Sequence, residues 1–448
     1  MASTYLNKTY SSAGNRNKWT VSVWLKRSKL GAESPIFTCV PNGNFETFCG
    51  FGSNDTITFK QKNDGSSTGQ YVTNRKFRDT NGFYHLVFVY DKDNSTAGDR
   101  GIIYVNGVRE TSFSTSSNFS DVSTWNSTNE MWIGRAGSSY FDGVMSHFHF
   151  VDGSALAPTV FGSTDSTTGE WKINTSPSYT VGTNGFFILK DGNSVTDSST
   201  NSNAWSVGGG TLTKSEDCAS NVFATFNPLA DYHANCTFSN GNNKIVSPGD
   251  RHDFAVSTLA MNVGSGKYYA EFKLVAAAGS DHCVVGISDH NYMGNNEELS
   301  QENYSIAYVN GGALRSSGTN AATGVGTYTA GDIIGVAVDM ENLKIYWHKN
   351  GTYVNSGVPT SGSTGTGAVS IHNISTSPNS SSRGQGTYFF AAGNWHSGAS
   401  STWEANFGNG YFGTTAVSSA GTNASNNGIF EYDVPTGYTA LSTKGLNE

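Results

Sequence analysis

The stretch "GDIIGVAVDMENLKIYWHKNGTYV", residues 331–354, decides how this chain is read. Two runs rich in Val, Ile and Tyr flank a polar break at 340–342, and the second run closes on Asn350-Gly351. Residues of that kind suit a pleated, half-buried surface. Asn-Gly accepts the positive φ that both central positions of a two-residue hairpin turn require. The segment therefore predicts strand, turn, strand, tight turn and a returning strand. A second such device lies far upstream, in "IIYVNGVR" at 102–109, closed by Asn106-Gly107. The flanking residues differ, so the echo argues for one local solution used twice, in two β-sandwiches, rather than for duplication.

The bulk numbers agree. A chain of 448 residues exceeds one ordinary core. Charged residues make up 14% and glycines number 53, and the runs of Ala, Leu, Glu and Lys that long helices need are missing. Aromatic residues reach 12%, enough to bury sizeable cores and to argue against disorder. The expected fold class is all-β, with two antiparallel β-sandwich (jelly-roll) domains in series.

The net charge of −8 argues against a nucleic-acid partner. The densest basic run, "NRKFR" at 74–78, reads as a solvated strand edge. Five cysteines, at 39, 49, 218, 236 and 283, form no regular disulfide framework, though Cys39 and Cys49 stand where a hairpin could face them. The first residues lack a signal-peptide pattern, and no apolar run approaches ~18 residues. The expectation is a chain folded in a cytoplasm, with no membrane insertion.

Along the chain, "KWTVSVWLKR" (18–27) alternates, predicting Trp19, Val21, Val23 and Leu25 on one face and Thr20, Ser22, Trp24 and Lys26 on the other. "FYHLVFVYD" (83–91) is nearly continuous apolar, as in a strand covered on both sides. "SALAPTVFG" (154–162) is a short helix candidate, and "NGFFILKDG" (184–192) a closing strand. A polar stretch from 191 to about 216 reads as a linker. This divides the chain into a first sandwich at 1–190, a linker at 191–221 and a second sandwich with a C-terminal extension at 222–448. The tail at 421–448 adds a strand or wraps the second module.

Residues 18–190 resemble the laminin-G-like, concanavalin-A-type jelly roll of phage and marine viral proteins. The pieces that carry this are "AGNRNKWTVSVWLKRSKLG", "RDTNGFYHLVFVYD", "IYVNGVRE", "WIGR" and "YFDGVMSHFHFVDGSALAPTVFG". Residues 266–412 resemble a SPRY domain, through "GDIIGVAVDMENLKIYWHKNG", "GKYYAEFKL", "VVGISD" and "STWEANFGNGYF". In this order, with "NVFATFNPL" between them and "FEYDVPTGYTALSTKGL" at the end, the resemblance implies a bacteriophage virion protein of tail, fibre or head-surface type. Neither fold implies a defined ligand.

Chemistry is sparse. Glycoside hydrolysis needs two carboxylates facing one groove, about 5–9 Å apart, and no strand carries such a pair. Asp339 and Glu341 read as hairpin-turn residues, and Asp91 and Asp93 as loop residues. His147 and His149 share a face but lack a third ligand. Calcium occurs in some jelly rolls of this kind, and Asp142 and Asp152 flank a strand where they could donate oxygens; capped strand ends are the plainer reading, so no cofactor is expected. Binding is the stronger case. Tyr292, Asn295, Asn296, Trp395 and His396 in the second module's loops, and Trp125 in the first, place aromatic and amide groups where a sugar would use them. For Trp125 and Trp395 a core position is the alternative. The expected protein is a non-enzymatic, virion-located surface component. It binds host-surface glycan, docks on other virion proteins, or does both, and it oligomerises on the particle. A purely structural decoration protein is the alternative, and a glycan-degrading depolymerase a lesser one.

Overall fold

The computed structural model describes residues 3–190, 194–230, 235–249, 252–277, 282–289, 299–300, 305–372, 386–394 and 398–447. The chain forms two compact units, the first spanning 1–214 and 218–220 and the second 215–217 and 221–448. Both are built almost wholly of antiparallel strands, as the composition predicts.

In the first unit an eight-stranded sheet runs in the order Phe113–Ser117, Ser66–Lys76, Thr56–Asn63, Phe45–Phe51, Ser34–Asn42, Met131–Ile133, Tyr5–Lys8, Ser206–Gly209. It shares a core with a six-stranded sheet ordered Phe186–Ile188, Gly143–Asp152, Lys18–Arg27, Tyr84–Asp91, Gly101–Val105, Val108–Arg109. Trp19, Val21, Val23 and Leu25 enter that core as their alternation predicts. Their neighbours Thr20, Ser22, Trp24 and Lys26, on the opposite face, are buried as well. The reason is a strap. Residues 154–181 fold back over the six-stranded sheet, so that Phe161, Leu156, Val160 and Tyr179 pack on Val87, Val89 and Val151. Tyr84–Asp91 is accordingly buried along its whole length, as its continuous apolar run indicates.

The stretch read as a linker belongs to this unit. Ser206–Gly209 pairs with Tyr5–Lys8, Trp205 is 3% exposed, and Asp197 accepts the amide of Phe187 at 2.8 Å. A polar composition suggested a free connection. Asn, Ser and Asp side chains instead satisfy local backbone groups, and one tryptophan supplies the anchor.

The second unit pairs a nine-stranded sheet with a seven-stranded one. The opening stretch supplies Ile333–Asp339 and Lys344–Lys349, neighbours in the nine-stranded sheet. The C-terminal tail wraps this sheet. Phe430, Val434 and Tyr438 pack with Tyr269, Ala337 and Tyr346.

The two Asn-Gly turns are alike in detail. Asn106 and Gly107 have φ of 49° and 79°, and Asn350 and Gly351 of 47° and 84°. Each asparagine Oδ1 accepts a backbone amide from the neighbouring strand at 2.8 Å, from His85 in one case and Ile333 in the other. A Cβ on Gly107 would stand 2.5 Å from the Trp171 ring, and one on Gly351 2.8 Å from the Tyr432 ring. Each turn is therefore also the seat of an aromatic side chain from a strap.

Candidate functional site

Most of the loop residues singled out from the sequence, Tyr292, Asn295, Asn296, Trp395 and His396, lie outside the described residues. Trp125 is described and is a core residue. It is fully buried, edge-on to Phe37 at 4.7 Å and stacked on Trp205 at 6.2 Å, which leaves no ring face for a ligand. Its loop looked polar enough to be surface, but the 194–205 segment carries Trp205 over it.

The metal candidates resolve similarly. Asp142 and Asp152 stand at opposite ends of the Gly143–Asp152 strand, about 30 Å apart at the usual rise, and cannot share an ion. Asp152 accepts the amides of Asn15 and Asn184 at 2.8 and 3.0 Å and Asn126 Nδ2 at 2.7 Å. Donors pointing at a carboxylate occupy the lone pairs a cation would need. His149 Nδ1 meets the Tyr179 hydroxyl at 2.6 Å, and His147 Nδ1 the Ser146 hydroxyl at 2.7 Å. No group of three metal-ligating side chains occurs among the described residues. Cys39 and Cys49 are buried free thiols, because the register sets Cys39 against Thr47 and Cys49 against Phe37. Asp339 is a turn residue, as expected, accepting the Asn342 amide at 2.9 Å.

Besides His149, His85 and His348 are buried beneath the straps. His85 is stacked between Trp24 and Trp171, 4.7 and 5.9 Å between ring centroids. Its Nδ1 accepts Trp171 Nε1–H at 2.9 Å, so Nε2 carries the proton and faces Ser22 Oγ at 2.8 Å. Burial depresses its pKa to about 3. In this tautomer the imidazole cannot take a proton from Ser22, so proximity alone does not make a nucleophile. In the second unit His348 Nδ1 accepts the Gly351 amide at 3.1 Å and Nε2 meets the Tyr269 hydroxyl at 2.6 Å. Tyr269 donates to Glu271 Oε1 at 3.0 Å. Glu271 also accepts the strap amides of Glu431 and Tyr432 at 2.9 and 2.8 Å. Gly335 makes room for this arrangement, since a Cβ there would fall on the His348 imidazole. These groups hold the strap and are sealed from solvent.

The outer face of the eight-stranded sheet differs, for a ring cluster on it stays half-open. Every aromatic side chain among the described residues is buried or half-buried, so a place where half-buried rings gather around a cation is informative. Alternation along Met131–Ile133 turns Met131 and Ile133 into the core and Trp132 outward, opposite Asn7 on one side and Thr38 on the other. The chain then makes a small hairpin, with Arg135 opposite Tyr140. The Arg135 guanidinium lies 4.5 Å from the Tyr5 ring centroid and 4.9 Å from that of Trp132. Tyr140 lies 6.1 Å from Tyr5. Thr38 Oγ1 donates to the Arg135 carbonyl at 2.6 Å, and Arg135 Nε donates to the Gly137 carbonyl at 3.1 Å. Two ring contacts and one hydrogen bond thus hold the guanidinium in place. Its Nη edge has no hydrogen-bond or carboxylate partner among the described residues. Sequence reading passed over this cluster, using "WIGR" as a piece of the jelly-roll resemblance. The odd–even placement of Trp132 between two core residues was the available signal.

Comparison with curated proteins finds no match. Residues 2–161 match the sequence model of the concanavalin A-like lectin/glucanases superfamily, and residues 267–373 that of the SPRY domain. Among solved structures, the chain is similar to the SPRY domain of human HERC1, at 17% identity over 40% of this chain and 96% of that one, with a TM-score of 0.30. It is also similar to a heptameric SAP-like pentraxin from Limulus polyphemus, at 15% identity over 42% and 90%, with a TM-score of 0.28. A third is domain 4 of AbnA, an extracellular arabinanase from Geobacillus stearothermophilus, in complex with arabinotriose, at 21% identity over 32% and 65%, with a TM-score of 0.25. Scores this low carry no functional argument. On the sequence matches, the chain carries a concanavalin A-like domain at 2–161 followed by a SPRY domain at 267–373.

Proposed function

We propose that this protein is a non-enzymatic surface component of a bacteriophage virion and that it binds carbohydrate through its first unit. One observation carries the binding reading, the Tyr5–Trp132–Arg135–Tyr140 cluster. Half-exposed rings around a strand-mounted guanidinium with an open Nη edge are suited to a saccharide, whose ring carbons pack on aromatics and whose oxygens take N–H donors. Mounting on a sheet gives the site more rigidity than a loop would. The virion role rests on the order of the two modules and their connecting and closing segments, which resemble viral structural proteins.

The test is Trp132→Ala, read twice. Melting stays within about 1 kcal/mol in free energy, because Trp132 lies outside the core, while attachment of the purified protein to host envelope falls about tenfold. Lowered melting with undiminished attachment contradicts the assignment. Wild-type protein that ignores envelope but adds to undecorated particles favours the structural alternative.

A further inference from the structure

We infer that the Arg135 fork receives a carboxylate, so that the saccharide taken by this unit is acidic, of the uronic-acid class. This rests on the glycan reading above and narrows it. The guanidinium lies over the rings of Tyr5 and Trp132, and Nε is committed to the Gly137 carbonyl. What remains is the Nη edge, two nitrogens in one plane, which matches the two oxygens of a carboxylate. The acids on the same sheet face are engaged elsewhere. Glu46 pairs with Lys60 at 3.0 Å, and Glu130 accepts Asn7 Nδ2 at 2.8 Å. Lys62 adds a further cation to this face, with Nζ donating to the Gly43 carbonyl at 2.6 Å. The chain as a whole carries −8, so general attraction of polyanions is not expected. A preference for acid over its neutral ester must then arise locally.

The experiment titrates the full-length protein with an oligogalacturonate, with its methyl ester and with a poly-glutamate peptide. The acid form binds about tenfold more tightly than the ester at low salt, and the gap narrows as salt rises. Arg135→Gln removes the preference, bringing the acid down to the level of the ester; Arg135→Lys, which keeps the charge and loses the fork, restores part of it. Retained melting of both variants shows that they fold. Equal binding of acid and ester, or an unaffected Arg135→Gln, overturns the inference and leaves carbohydrate binding standing. No binding of either saccharide overturns both. Tighter capture of poly-glutamate than of uronate also overturns it, in favour of an acidic protein partner.

Discussion

Gly335 and His348 show how one residue sets terms for another. Gly335 is small because the imidazole across the ladder occupies the space of a side chain. His85, on the six-stranded sheet of the first unit, is likewise neutral, stacked and enclosed. Its pKa, depressed to about 3 from 6.5, fixes the sign of a pH effect. The unfolded chain binds the proton first, so the stability this group contributes is present above pH 6.5 and is lost as pH falls towards 3. His149 is depressed for the same reason, burial. Burial pushes Asp55 up, but the Gly31 amide, Arg78 and Arg27 outweigh it and hold the carboxylate below its usual range, which adds to the acid loss. The first unit therefore melts at progressively lower temperature between pH 6.5 and 4. His85→Gln, which can still accept from Trp171 and donate to Ser22, flattens that slope. A slope identical to wild type counts against a buried neutral His85.

At the scale of elements, the feature shared by the two units is a strap laid over the outside of a sheet, with an aromatic ring on an Asn-Gly turn. In the second unit the strap is held by a buried carboxylate. Glu271 is fully enclosed and takes four donors, from Tyr269, Asn406, Glu431 and Tyr432. Burial nevertheless raises its pKa to about 7. A raised folded pKa means that the folded state binds the proton more tightly, so this group's contribution is lost as pH climbs from about 4.5 through 7. Glu271→Gln removes that titration and turns an amide donor towards strap amides that need acceptors. We expect a loss of about 1–3 kcal/mol and faster hydrogen exchange at Glu431 and Tyr432. Unchanged protection at these two amides would show that the strap does not depend on the clamp.

For the whole molecule the decisive matter is where the first unit ends. Trp205 lies within the polar stretch that looks like a linker, yet it stacks on Trp125 and meets Phe186 at 5.0 Å in the core. Trp205→Ala in the full chain should cost about 3–5 kcal/mol, the range of a large aromatic removed from a core. Thermal or denaturant unfolding measures it. A change of only a few tenths, as expected for a surface connection, would restore the linker reading. The boundary thus falls near 214–221, where the two units interleave in sequence.

The all-β class, the two sandwiches and both Asn-Gly hairpins were legible in the sequence, because strand alternation, glycine content and the φ demands of a two-residue turn act over a few neighbouring residues. For the C-terminal tail the sequence left a further strand or a wrap open, and the tail does both, pairing Thr439–Ala440 with Lys267–Ala277 and packing Phe430, Val434 and Tyr438 on the sheet. What alternation could not say is what covers the far side of a sheet. Alternation put Thr20, Ser22 and Trp24 on the face opposite the core, and it is residues 154–181 that cover that face. Trp125 read as a loop aromatic until Trp205 stacks on it. The Arg135 cluster was hidden for the same reason. Tyr5, Trp132 and Tyr140 are separated by up to 135 residues and meet only when the first strand pairs beside Met131–Ile133. Local sequence sets the period of an element, and long-range pairing decides which of its faces water reaches.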